Sequence, residues 1–355
     1  MLHILYIGDS NPASTSAHRA HALERIGHRV SIKNPTDADP IALRSRWMAA
    51  LHFRTGYRLV QRQMLKWTRN VVDNALQPDL IWIDSGELLG KECVQLLKQL
   101  NCPIVLYNID DPTGKRDGMR FASLLGAIRI YDLVVVVREE TQNECLALGA
   151  KKVLRVFRSY DEIAHRPFDD NADIPQKFRS EVAFIGTWMR KEKRDEFVLQ
   201  LIGQGIDVNI WGDFWPKSQH FSKLSTHWRG PSLGGSDYIA AIQGAKICLG
   251  LLSHGNRDLH TTRSLEIPYA GGLLCAQRTS EHTELYREGV DAVFWSDARE
   301  CINVCKSLLY DNDRIDRLKR AGMQRVRSLK AGNEDVCRTI LEAVFEPSLI
   351  PNPLL

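Results

Sequence analysis

The chain has 355 residues, enough for two α/β domains of ordinary size. Its 44% hydrophobic and 25% charged residues are those of a globular protein and exclude a disordered or fibrous one. A formal charge of +4 is too small over this length for a nucleic-acid binder and suits an enzyme that meets phosphates.

At the N-terminus, residues 1–9 reach Gly8 and Asp9 too early for the apolar core of a secretory leader. No stretch approaches the ~18 apolar residues of a membrane span, so the expected place is the cytoplasm, including the inner face of its membrane. Eight cysteines form no CxxC pair and no zinc spacing, and read as reduced, buried thiols. Cys301 and Cys305 share a helix face at i, i+4, but the sequence shows no further ligand for a metal there.

Short β-branched runs alternate with helical patterns along the whole chain, which predicts parallel sheets built from βαβ units. In the first half the expected strands are 2–7, 29–33, 80–84, 104–108, 133–137 and 153–157. The run LVVVV at 133–137 is apolar throughout, as in a strand covered on both faces. Thr15 or Ser16 can cap the first crossover helix, and Gly27 suits its left-handed stop. Residues 41–77 form an Arg-rich, amphipathic insertion of one or two helices with Trp47, Phe53, Tyr57 and Trp67.

Periodicity lapses between 160 and 178, the expected linker. A second series follows, with strands at 182–186, 208–211, 247–252, 273–276 and 292–295. Helices are expected over 297–310, 313–329 and 334–345, before a Pro-rich tail at 346–355. The domains are therefore 1–165, with the insertion, and 178–332, while 333–355 packs back on the first. The fold class is α/β, two Rossmann-like doubly wound domains facing a cleft at their strand ends.

The richest strand end is the segment 251–272. A buried strand ends at Leu252, a polar loop with His254, Gly255 and Asn256 follows, and a short helix starts near Thr261 and Thr262. Such a strand-loop-helix aims backbone N–H groups at a diphosphate. Arg263 and Glu266, three residues apart, share one face of that helix. Arg supplies a phosphate fork and Glu can accept two hydrogen bonds from a vicinal diol, though the same spacing also makes a plain surface ion pair.

Trp211, Phe214, Trp215 and Trp228, with Arg229 beside them, could stack on a nucleobase or equally cover a sheet edge. In the first domain the loop 8–16 lacks GxGxxG, so a dehydrogenase is disfavoured. His18 stands at the start of the following helix, within reach of an acceptor or phosphate. Asp110 and Asp111 end a strand at the same edge and could orient a hydroxyl or serve as turn formers before Pro112.

The run 263–272 (RSLEIPYAGG) followed by TSEHTELYREG at 279–289 resembles the spore-maturation-type glycosyltransferases, within the GT-B group that uses nucleotide-sugars. The resemblance extends to VAFIGT at 182–187 with Arg194, YDLVVV at 131–136, GAKKV at 149–153, and His165 with Pro167. It implies that Glu266 holds the donor ribose, and that Gly186 and Thr187 form the turn after the first strand of the donor domain. Arg194 would meet the diphosphate. Asp258, eight positions before Glu266, stands where many relatives have a glutamate near the sugar.

The implied reaction moves a sugar from a UDP- or GDP-type donor to a hydroxyl on a glycan or lipid-linked acceptor, with retention. The donor is a co-substrate, with no cofactor and no metal expected: helix amides, Arg194 and Arg263 would steady the leaving diphosphate. An inverting enzyme would need a base, and Asp110 or His18 could serve. Two other readings stay open, a nucleotide-sugar epimerase of the same plan and a non-catalytic subunit of a glycan assembly complex. The Arg and aromatic residues of the insertion could also touch a membrane presenting the acceptor.

Overall fold

The apolar runs fold as parallel strands, and a computed structural model describes residues 1–345; the tail expected at 346–355 lies outside the described residues. The chain divides into two units, Met1–Phe157 together with the residues from Asn333 on, and Arg158–Gly332.

In the first unit six strands, β1 (His3–Ile7), β2 (Arg29–Lys33), β3 (Leu80–Asp84), β4 (Ile104–Tyr107), β5 (Leu133–Val136) and β6 (Val153–Arg155), order as β2-β1-β3-β4-β5-β6. Strands β3, β4 and β5 are buried along their whole length, which is why they read as unbroken apolar runs. Helix α1 (Thr15–Arg25) is capped by Ser14, one residue before the expected cap, because its hydroxyl reaches Ala17 N at 3.1 Å. It ends at Gly27, which takes φ 94°.

The insertion forms three helices, α2 (Pro40–Arg44), α3 (Arg46–Arg54) and α4 (Gln61–Asp73). Crossovers α5 (Lys91–Leu97), α6 (Ala122–Ala127) and α7 (Glu139–Ala147) complete the layer.

In the second unit the strands β7 (Ser180–Ile185), β8 (Val208–Trp211), β9 (Trp228–Gly230), β10 (Ala245–Gly250), β11 (Leu274–Gln277) and β12 (Val293–Trp295) order as β12-β11-β10-β7-β8-β9. Strand β9, three residues at the sheet edge, was not expected from the sequence, where it is too short and too polar to stand out.

The helices are α8 (Arg194–Gly203), α9 (Phe221–Leu224), α10 (Gly235–Gly244), α11 (Arg263–Tyr269), α12 (Ser280–Leu285), α13 (Ala298–Leu309) and α14 (Asn312–Ser328). The last helix, α15 (Asn333–Phe345), belongs to the first unit, where Cys337 and Ile340 are buried in one cluster with Ile4, Ala20 and Leu23.

The stretch expected as a linker is folded against the second unit. Tyr160 stacks on Tyr269 with ring centroids 3.9 Å apart, the amide of Phe168 donates to Gln243, and Phe178 packs on Trp211. Its anchors are single residues without a period, so no pattern announces them.

Candidate functional site

Read outward from β7, the second sheet has the 3-2-1-4-5-6 order of a dinucleotide-binding fold, and its order reverses between β7 and β10. Ligands of open α/β sheets bind beyond the strand ends at that point. The loops there are 186–193 after β7 and 251–262 after β10. Gly212 sits close against the first: a Cβ there would stand 2.0 Å from the carbonyl oxygen of Gly186, at φ 154°.

Arg263 opens α11 at this edge. Its Nε donates to the carbonyl of Ile185, the last residue of β7, at 2.6 Å, and its guanidinium lies 5.8 Å from the Tyr238 ring centre. No carboxylate pairs with it among the described residues, so Arg263 and Glu266 are not the surface ion pair that their spacing also allowed.

Glu266, one turn on, is only 5% exposed. It accepts from the Tyr238 hydroxyl at 2.5 Å and faces His165 Nε2 at 3.4 Å, which leaves lone pairs for further donors. Burial first, and the Glu266 charge next, push the Tyr238 phenol up, so it stays a donor. The first turn of α11 leaves the amides of Thr262 and Arg263 without intrahelical acceptors.

The loop after β10 is organised by Glu192, which no motif in the sequence marks. The Glu192 carboxylate accepts from the amides of His254 and Gly255, both at 3.0 Å, and from Ser253 Oγ at 3.1 Å. Burial works against its charge, but the Gly255 and His254 donors hold it below the usual carboxylate range. These amides, expected to meet a diphosphate, are filled by an internal anion. His254 itself is exposed and bridges Glu192 and Gln277, while Asn256 is buried in the turn.

Arg194 is also placed differently from the reading that gave it to the diphosphate. It is buried, donating to the carbonyls of Thr187 at 2.8 Å and Leu252 at 2.9 Å, and so ties the two loops together. The exposed cations beside it are Arg190, Lys191 and Lys193. Gly186 and Thr187 are half-buried in the turn itself.

Asp258 is buried and ion-paired with Arg158 at 3.1 Å, whose amide donates to His260 Nε2. His260 Nδ1 in turn meets Glu281 at 2.5 Å.

Arg229 lies exposed on the edge strand β9, bonded to Asn209, two strands from β7 and away from α11. Of the aromatic residues considered for a base, Trp211 and Trp215 are buried and Trp228 packs on Phe221, so they cover the sheet; only Phe214 is exposed.

In the first unit the strand order reverses between β1 and β3. There the sequence hid a buried network: Arg19 grips Asp84 through two bonds of 2.7 and 3.1 Å, Tyr6 donates to the same carboxylate at 2.8 Å, and Arg19 covers the Tyr107 ring. His18 is half-buried on the adjoining turn of α1. Asp110 is half-buried and pairs with Arg120 at 3.1 Å, which also binds Glu87. Asp111 accepts from Thr141 and from the amide of Gly114, a turn-forming role.

Cys275 joins Cys301 and Cys305, with sulfurs within 4.8 Å of one another and all three buried in the apolar core of the second unit. Such a set could hold a soft metal ion, although it lies in the core and not at the strand ends.

Residues 190–341 match a family model described as glycosyl transferase-like. No protein of curated function matches the chain in sequence.

Among solved structures it is similar to sucrose-phosphate synthase from Thermosynechococcus elongatus, with TM-score 0.69 at 12% identity over 98% of this chain and 100% of that one. Anabaena HepE in complex with UDP-glucose aligns with TM-score 0.65 at 13% identity, covering 97% and 99%. A glycosyltransferase involved in avilamycin A biosynthesis aligns with TM-score 0.59 at 13% identity, covering 96% of each chain. These likenesses show the fold alone, two α/β units each built on a six-stranded parallel sheet.

Proposed function

We propose that the protein transfers a sugar from a nucleoside-diphosphate sugar, UDP- or GDP-linked, to a hydroxyl of a glycan or lipid-linked acceptor. The family match supports sugar transfer, and a neighbour of the same fold was solved with UDP-glucose bound. The observation that carries the reading is Arg263: one N–H anchors it to the end of β7, and its terminal amino groups meet no protein acceptor among the described residues. A guanidinium held in this way at a strand-order reversal is ready for a diphosphate.

In this reading Glu266 accepts from the ribose hydroxyls, with Tyr238 fixing its orientation. Arg263, the leading amides of α11 and the exposed Lys191 and Lys193 take the charge that builds on the departing diphosphate, so no metal is required. Asp258 acts through its Arg158 pair to position the loop and does not touch the sugar. Attack from the leaving-group side gives retention; inversion would need Asp110 or His18 as a base.

Incubation with UDP- and GDP-sugars, with and without a glycan or lipid-linked hydroxyl acceptor, tests the proposal by chromatography of the donor. Nucleoside diphosphate released only with acceptor supports transfer. A donor converted to its epimer without acceptor would replace transfer by epimerisation. Activity abolished by chelator and restored by Mn²⁺ would overturn metal independence, and the product anomer seen by NMR decides retention.

A further inference from the structure

The insertion of the first unit has an outer face that its fold does not use. From residue 41 to residue 72 the sequence holds six Arg and one Lys and no Asp or Glu. The same segment leaves large apolar side chains in solvent: Trp47 is 86% exposed, Ile41 84%, Leu59 57%, Leu51 46% and Met48 41%. Scattered single apolar residues need no explanation, but five fall within nineteen residues, and Trp47 and Leu51, one turn apart on α3, make the centre of an exposed apolar patch.

The patch is not a poorly packed core. Val60, Met64 and Val71 of the same segment are buried in the main cluster of the first unit, and Tyr57 bonds Glu87. On α3, Trp47, Leu51 and Arg54 recur at i, i+4 and i+7, so they share the outward face while His52 turns inward. Arg44 is paired with Asp37, whereas the exposed Arg54, Arg58 and Arg62 pair with no acid among the described residues.

We infer that this face docks the protein on an anionic lipid bilayer. An amphipathic surface with Trp and Leu at its centre and Arg around them buries its apolar tips at the headgroup boundary, while the guanidinium groups meet lipid phosphates. Charge selects this occupant: a face with several unpaired cations and no anion of its own is complementary to an anionic surface, and repels a second copy of itself. The inference does not rest on the donor site in the other unit.

The test is co-sedimentation of the full-length protein with vesicles of phosphatidylcholine alone and of phosphatidylcholine mixed with phosphatidylglycerol. Binding to the mixed vesicles, weakened by salt, is expected. Trp47→Ser with Leu51→Ser, and separately Arg54→Glu with Arg58→Glu, should each lower partitioning by roughly tenfold or more. Thermal stability should hold in both, because all four side chains are exposed.

Reversal of the exposed Arg317 and Arg320 on α14 should leave binding unchanged. The inference fails if the wild type does not pellet with the mixed vesicles, if the insertion variants bind as it does, or if the α14 control loses as much. It also fails if the wild type self-associates in sedimentation velocity and the Trp47/Leu51 variant does not.

Discussion

Arg263 shows why one side chain can anchor a site. Its Nε–H is fixed to the carbonyl of Ile185, which sets the plane of the fork, and in the proposed site this would spare the ligand the entropy of ordering it. Lysine keeps the charge but loses both the anchor and the fork. Arg263→Lys should therefore weaken binding of a nucleoside diphosphate by roughly tenfold or more in calorimetry, with little change in melting temperature.

At this scale the sequence is legible only in part. The spacing of Arg263 and Glu266 shows a shared helix face, yet it cannot show that their partners are Ile185 and Tyr238. Arg194 has the composition of a phosphate ligand and turns inward to two carbonyls instead. Arg19 and Asp84 are 65 positions apart, and no local pattern joins them.

Among the elements, the β10–α11–β11–α12 region is held by buried histidines. His282 Nδ1 lies 2.6 Å from the carbonyl of Gln277 and Nε2 2.8 Å from Ser264 Oγ, and burial pushes its pKa down to about 4. A histidine depressed in the folded state is neutral in both states above its unfolded pKa, ~6.5. As pH falls below that value the unfolded chain takes up the proton first, and stability drains away until the folded pKa is passed. The loss between pH 6.5 and 4 is on the order of 3 kcal/mol.

Denaturant melts over this range should show the decline, and His282→Gln should flatten it. An unchanged slope in the variant would assign the acid sensitivity elsewhere, His260 first, since burial lowers it too. The strands here were legible as apolar runs bounded by polar loops. The short edge strand β9 and the anchors of residues 158–178 were not, because neither carries a period.

For the whole molecule, each half is a six-stranded parallel sheet, with different strand orders, and the chain closes with α15 on the first unit. Ile340 is fully buried there against residues from the other end of the chain. Ile340→Ala should cost about 2–5 kcal/mol in the first unit, read as a drop in its calorimetric transition, with the second unit unaffected. The alternation of strand and helix made this architecture legible from sequence, whereas the boundary fell at Arg158 because Tyr160 and His165 bond to the second unit and leave no free linker.

In the proposed site the second unit grips a nucleotide donor at the start of α11, with Glu266 on its ribose. Calorimetry of UDP and GDP against the wild type and Glu266→Ala tests it most directly. One of the two nucleotides should bind the wild type, and the variant should lose at least roughly tenfold in affinity while keeping its circular dichroism spectrum. Binding of neither nucleotide, or equal binding by the variant, would contradict it.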